Sequence, residues 1–342
     1  MIRVLVVDDS GFMRASLIHI LKSDIDIEVI GTAVDGRNAV EKVKLLKPDV
    51  VLLDIEMPVM DGLAALSYIM AECPTAVLII SGLGEKDTRI AIKSLEHGAI
   101  DFIAKPSGVI SYDIEKIREE IISKVKIAAG VDVHRMALEL PKEFYVHHRV
   151  EAAAKKKIVV IGASTGGPKA VKVVLSGLRR EISAAVLVVQ HMRKEFISSF
   201  AERLKWESPL DISVAQDKGE IVPGKVLIAP GDSNIGIVSE GSGNRVSIIS
   251  QEASHTVLPS IDFTMESAAD IYRDESLGVI LTGMGSDGAK GMKAIKDAGG
   301  STIAEDESTS VVFGMPKSAI EMGVVDEVMP LNKIAGAIMR MT

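Results

Sequence analysis

The chain has a single cysteine, Cys73, so no internal disulfide can form, and a reducing, cytoplasmic setting is expected. It also has no apolar run of the roughly 18 residues needed to cross a bilayer. The apolar N-terminus, Met1 to Val7, is cut short by Asp8 and Asp9, which leaves it too short for a secretory core and makes it read as a buried strand. Basic charge is not in excess: the formal net charge is −8, and without a clustered basic surface nucleic acid is not an expected partner. Direct membrane insertion is not expected either. No Gly-Lys-Ser/Thr follows any glycine-rich turn, which weakens a nucleotide-loop reading.

What is present is enough apolar material for cores. With 342 residues, of which 47% are hydrophobic and 25% charged, the chain has room for two compact domains. From residue 2 to about 126, apolar runs alternate with helical stretches, the rhythm of βα units and a parallel sheet. The expected strands are Arg3–Val7, Glu28–Ala33, Val50–Asp54, Ala76–Ile80 and Ile100–Ile103. Asp35 is placed to cap a helix over Gly36–Leu46, Lys47-Pro48 to end it, and His97-Gly98 to stop the helix before the fifth strand. A further helix is expected over Asp113–Lys126.

In open α/β sheets the loops at the carboxyl ends of the strands form the site. Those positions hold Asp8-Asp9, Asp54, Ser81 and Lys105-Pro106. Crowded carboxylates repel unless a cation joins them, and hard oxygen ligands suit Mg²⁺. A carboxylate so placed can attack a phosphoryl group, with a lysine and a hydroxyl steadying its oxygens, and Asp54 is the candidate nucleophile. Each aspartate taken alone could be no more than a helix cap.

Together, Val-Val-Asp8-Asp9-Ser, Leu-Leu-Asp54-Ile-Glu-Met-Pro58, Ser81 and Phe102-Ile-Ala-Lys105-Pro106 resemble a response-regulator receiver domain over residues 1–126. The resemblance implies phosphorylation of Asp54 by a histidine kinase. It implies Mg²⁺ held by Asp9, Asp54 and the Glu56 carbonyl, with Asp8 acting through water and Lys105 on the phosphoryl group. Ser81 and Phe102 match the switch positions, and a cis bond is expected at 105–106.

Residues 127–155 have neither sheet periodicity nor an apolar face and are expected to link the domains. Their histidines, His134, His147 and His148, lack metal-ligand spacing, so a solvated linker is the favoured account.

A second domain is expected over 156–342, as a doubly wound parallel sheet. There Lys157–Ile161 runs as a strand into Gly162-Ala163-Ser164-Thr165-Gly166-Gly167-Pro168, and a helix follows to about Leu178. Gly-x-Ser-x-Gly at a strand-to-helix turn can present a nucleophilic hydroxyl. The same turn can bind phosphate or simply cap the helix. Two more strands, Ala184–Gln190 and Leu277–Gly283, lead into His191 and Asp287, so a parallel sheet would gather Ser164, His191 and Asp287 at one edge. His255 as base and Asp306 as acid are the alternatives. Backbone N–H groups around Thr165 and Met284 are candidates for an oxyanion hole. The order Ser–His–Asp differs from that of α/β-hydrolases.

Gly162-Ala-Ser164-Thr165-Gly-Gly167, Gln190-His191-Met192, Leu281-Thr-Gly-Met284-Gly-Ser-Asp287-Gly288 and Phe313-Gly-Met-Pro316 resemble the catalytic domain of chemotaxis protein-glutamate methylesterases. The resemblance implies hydrolysis of glutamate γ-methyl esters on chemoreceptor cytoplasmic helices, release of methanol, and in some members deamidation of glutamines. Ser164, His191 and Asp287 match its triad, and the receiver is expected to restrain catalysis until Asp54 is phosphorylated. Arg193-Lys194 stands where many members have prolines, and Thr256-Val257-Leu258 stands where basic residues are common. The other class of function considered is a non-catalytic adaptor whose second domain binds a nucleotide at Gly162–Gly167.

Overall fold

The computed structural model describes residues 1–105, 117–133, 157–241, 243–250 and 258–342. The chain divides into two compact units, Met1–Glu139 and Leu140–Thr342. Each is an α/β layer structure with helices flanking a parallel sheet. Among the described residues no helix is long and apolar enough to cross a membrane.

In the first unit, β1 (Ile2–Val7), β2 (Ile27–Ala33), β3 (Val50–Asp54), β4 (Ala76–Ser81) and β5 (Asp101–Ala104) form one sheet in the order β2-β1-β3-β4-β5. All its pairs are parallel. The central strands are apolar runs because both faces are covered: every residue of β3 and β4 is buried. Helices α1 (Gly11–Lys22), α2 (Gly36–Leu46), α3 (Gly62–Glu72), α4 (Glu85–Glu96) and α5 (Arg118–Ala129) connect or close it. Asp35 caps α2 by accepting the Asn38 N–H, and Lys47, in the left-handed conformation before Pro48, ends it. Within the described residues α5 runs on to Ala129, beyond the expected stop at 126, because Ile121, Val125 and Ala128 continue a buried face at helical spacing. Residues 134–156, with His134, His147 and His148, and Pro106 with its expected cis bond lie outside the described residues.

The second unit has β6 (Ile158–Ala163), β7 (Ala185–Gln190), β8 (Asp211–Val214), β9 (Lys225–Ile228), β12 (Ser276–Ile280), β13 (Ser301–Glu305) and β14 (Glu327–Met329) in the order β14-β13-β12-β6-β7-β9-β8. Every pair is parallel. Its helices are α6 (Gly167–Gly177), α7 (Lys194–Glu207), α8 (Ile261–Tyr272), α9 (Ala289–Asp297), α10 (Met315–Glu321) and α11 (Leu331–Met341). An antiparallel hairpin, β10 (Asn234–Glu240) with β11 (Gly243–Ile249), stands apart from this sheet. Ile158, Val159, Val160 and Ile161 are fully buried, each contributing about 1.5–3 kcal/mol by burial.

From β6 the chain proceeds to β7 on one side and later returns to β12 on the other. The strand order therefore reverses at β6, and the crevice beyond the carboxyl ends there is where doubly wound sheets place their ligands.

Candidate active site and acidic pocket

Ser164 follows directly on β6. Its N–H donates to the Thr282 carbonyl at 3.0 Å and its carbonyl accepts from the Gly167 N–H at 2.8 Å, closing a tight turn. Gly166 has φ +77° and a Cβ there would lie 2.6 Å from Val311 Cβ, so the position requires glycine on both counts. The turn then opens α6 with Pro168 in its first turn.

His191 follows on β7, its N–H bonded to the Ala163 carbonyl at 2.9 Å. Its Nε2 lies 2.8 Å from Asp287 Oδ2, with the two side chains 12% and 19% exposed. An ionised carboxylate only accepts, so Nε2 carries the donated proton and Nδ1 is left as the basic nitrogen. Among the described residues no hydrogen bond joins Ser164 Oγ to the imidazole; such bonds often tighten only when substrate is bound.

Asp287 precedes α9 and is held from several directions. Its Oδ2 also accepts the Ile261 N–H at 2.8 Å, and its Oδ1 accepts the Asp262 N–H at 2.9 Å and the Ser260 hydroxyl at 3.3 Å. In return Asp262 Oδ1 accepts the N–H groups of Gly288 and Gly291, both at 2.8 Å, at the start of α9. Burial opposes the Asp287 charge, but the bonds from His191, Asp262 and Ile261 outweigh it and hold its pKa below the ordinary aspartate range. Asp262 is pushed the other way by burial and by the neighbouring Asp287 charge, against the Gly291 and Gly288 bonds.

Strand β12 stops at Ile280, short of the expected Gly283. Leu281 N–H still bonds to the Gly162 carbonyl, but Thr282 N–H turns to Glu305 Oε2 at 2.8 Å and Gly283 pairs with Phe313. Leaving the ladder there lets Thr282 Oγ1 donate to the Thr165 carbonyl at 3.0 Å and accept the Val312 N–H at 2.9 Å, tying three loops together. Thr165 is buried, while Met284 is 51% exposed. Asp306 Oδ1 is taken by Ser308 and Thr309 in its own loop. His255 lies outside the described residues.

Sequence reasoning gave no role to Gln190, Asp262, Thr282 or Glu305. The available signals were a polar residue ending an apolar strand, at Gln190 and Glu305, and an acidic residue in a first helical turn, at Asp262, where it reads as an ordinary cap.

In the first unit the carboxylates of Asp8, Asp9 and Asp54 offer oxygens within 4.8 Å of one another. Lys105 Nζ lies 2.8 Å from Asp54 Oδ1 and 3.1 Å from Asp8 Oδ2. Burial pushes the Asp54 pKa up to about 6, with Lys105 pulling it down and Asp8 adding to the rise. For Lys105 burial acts against the charge, but the facing Asp54 and Asp8 raise its pKa overall. An oxygen-only cluster that mixes buried Asp8 and Asp54 with exposed Asp9 fits a hard divalent cation keeping some water. The Glu56 carboxylate turns away to Lys86 Nζ at 2.7 Å, leaving its carbonyl as the ligand to consider. Ser81 Oγ donates to the Gly82 and Asp87 carbonyls, at 3.1 and 3.2 Å, instead of meeting Asp54. Phe102 is buried, with Lys124 Nζ 5.5 Å from its ring centroid.

Residues 159–338 match the family described as CheB methylesterase, and residues 4–115 match the response regulator receiver domain. The protein-glutamate methylesterase/protein-glutamine glutaminase of Thermotoga maritima is 45% identical, over 97% of this chain and 96% of its own length. The protein of the same name from Pyrococcus abyssi is 44% identical, over 99% of this chain and 93% of its own. The crystal structure of the Thermotoga maritima CheB methylesterase catalytic domain is similar, with a TM-score of 0.54 and 43% identity, covering 55% of this chain and all of that one.

Proposed function

Because the chain belongs to the CheB methylesterase family, we propose that it hydrolyses glutamate γ-methyl esters on chemoreceptor helices to glutamate and methanol under control of its receiver domain. The observation that carries this reading is the His191–Asp287 pair at the end of β7, beside the Ser164 turn at the end of β6.

In the proposed reaction His191 Nδ1 takes the Ser164 hydroxyl proton while Oγ bonds to the ester carbonyl carbon. Backbone N–H groups around Thr165 and Met284 face the oxyanion. Collapse of the tetrahedral adduct breaks the carbon–methoxy bond, and the proton on His191 goes to the departing oxygen as methanol. Water then attacks the acyl-serine, giving its proton to His191, and glutamate leaves as Ser164 recovers a proton. Asp287 stays ionised and stabilises the imidazolium. A glutamine side chain follows the same path with ammonia as the leaving group, in keeping with the second activity in the relatives' name.

In the receiver, Asp54 is the proposed phosphoacceptor, with a histidine kinase as donor. Both described bonds to the Asp54 carboxylate, from Lys105 and from the Ile55 N–H, fall on Oδ1, which leaves Oδ2 for the phosphoryl group. Asp8, Asp9, Asp54 and the Glu56 carbonyl would hold Mg²⁺, which when bound neutralises phosphoryl oxygens. Lys105 would pair with one of those oxygens, and Ser81 and Phe102 would register the change. The proposed kinase donor and the cytoplasmic part of receptors as substrate support a cytoplasmic location. A nucleotide-binding adaptor has no support: the Gly162–Gly167 turn lacks the lysine of a phosphate loop.

The test is methanol release from methyl-labelled receptor membranes by wild type, Ser164→Ala and Asp54→Asn, with and without a small phosphodonor. Loss of release in Ser164→Ala and loss of the phosphodonor response in Asp54→Asn are expected. Equal release by Ser164→Ala and wild type rejects the esterase mechanism.

A further inference from the structure

Gln190 ends β7 and is 1% exposed, yet it carries a carboxamide where the rest of the strand is apolar. Its Nε2 lies 2.8 Å from the Ser164 carbonyl and 3.1 Å from the His191 carbonyl. A carboxamide nitrogen has two hydrogens, so it can donate one to each. The strand register between β6 and β7 ends at the pair Ala163 and Gln190, and among the described residues the backbone bond from His191 N–H to the Ala163 carbonyl is the last between the two strands. Past that point the proposed nucleophile and base sit on separate loops, and the Gln190 side chain joins them.

The packing around this group is close. A Cβ on Gly167 would lie 2.3 Å from Gln190 Oε1, and the Gly167 N–H shares the Ser164 carbonyl with Gln190 Nε2. The carboxamide is wedged between the first turn of α6 and the sheet edge. Its Oε1 has no hydrogen-bond partner among the described residues. A buried acceptor left unpaired is unfavourable, and methionine would fill a similar volume without that penalty. The donor half of the amide is what methionine could not supply.

We propose that Gln190 is a positioning residue for ester hydrolysis, its carboxamide setting the spacing of Ser164 and His191 by bridging their backbone carbonyls. The proposal rests on the reading of Ser164 and His191 as nucleophile and base. Reaction geometry tolerates little error, since a displacement of about 1 Å can cost about 100-fold in rate.

The experiment measures methanol release from methylated receptor membranes by the full chain as wild type, Gln190→Met, Gln190→Glu and Ser164→Ala, with melting curves for each. Gln190→Met is expected to lower kcat by about 10- to 100-fold with KM changing far less, because substrate contacts are untouched. Gln190→Glu keeps the volume but sets acceptors against two carbonyls when ionised, and can donate one hydrogen when protonated. Its rate relative to wild type should rise as pH falls. If Gln190→Met does not fold, the side-chain amide protons of Gln190 in the wild-type chain carry the test. Slow exchange with solvent and a shift on phosphonylation of Ser164 support the bridge; fast exchange overturns it. Folded Gln190 variants with wild-type kcat overturn the proposal while Ser164→Ala is inactive. An active Ser164→Ala overturns the parent reading as well.

Discussion

Asp262 and Asp287 clasp two helix starts: the Asp287 carboxylate accepts the first N–H groups of α8, Asp262's own among them, and the Asp262 carboxylate accepts two N–H groups at the start of α9, two residues after Asp287. Each negative charge sits at a positive helix end. The group that orients His191 is thereby tied to the fold by both helices.

Breaking the clasp from the far side should reach the chemistry. Asp262→Ala removes a cap worth about 0.5–2 kcal/mol, so the melting temperature should fall. It also frees the start of α9, so kcat for methanol release should drop about tenfold with little change in KM, an order of magnitude set by losing orientation. A full rate at a lowered melting temperature would limit Asp262 to stability.

The proton on His191 Nε2 is held by Asp287. Asp287→Asn can present an N–H to that nitrogen and favour the opposite tautomer, so kcat should fall by up to about 10⁴-fold, as in the serine protease template. Single-turnover kinetics that locate the loss in acylation and not in product release would check this.

Glu305 makes stability depend on pH. Burial pushes its carboxyl up to about 7 from 4.5, against the bonds from Thr282 and Thr309. Between those two values the folded chain keeps a proton that the unfolded chain has released. The resulting stability is therefore fully present below about 4.5 and lost as pH rises through about 7. Glu305→Gln keeps an acceptor for the Thr282 N–H and carries no charge, so it should melt above wild type at pH 8 and close to it at low pH. Parallel melting curves at all pH values would remove Glu305 from this account.

Mg²⁺ should stabilise the receiver by mass action, by about 2.7 kcal/mol at a concentration 100 times its Kd. Asp9→Asn should weaken that response, and chelation should reverse it. Lys105→Met should instead strengthen Mg²⁺ binding, since it removes a cation bonded to Asp8 and Asp54. Calorimetric titration of the three proteins tests the ordering.

Much of the fold was legible locally. Apolar runs such as Val50–Leu53 and Ile158–Ile161 can be little else than strands buried on both faces, and Asp35 marked its helix start to the residue. The end of β12 was not legible, because Thr282 leaves the ladder for Glu305, a residue 23 positions away in sequence. The same limit hid Asp262, whose local role as a first-turn acid is ordinary and whose partners, Gly288 and Gly291, lie at the start of another helix.

The sequence by itself determined which residues are candidates for chemistry and, through the βα rhythm, that they stand at the carboxyl ends of strands in parallel sheets: Ser164, His191, Asp8 and Asp54. It did so because side-chain type and strand periodicity are properties of short stretches. Only the tertiary structure decided that Asp287 meets His191 at Nε2, that Gln190 bridges Ser164 and His191, and that Ser81 points toward α4. Those relations depend on strand order and loop exit, which arise from contacts between residues far apart in the chain.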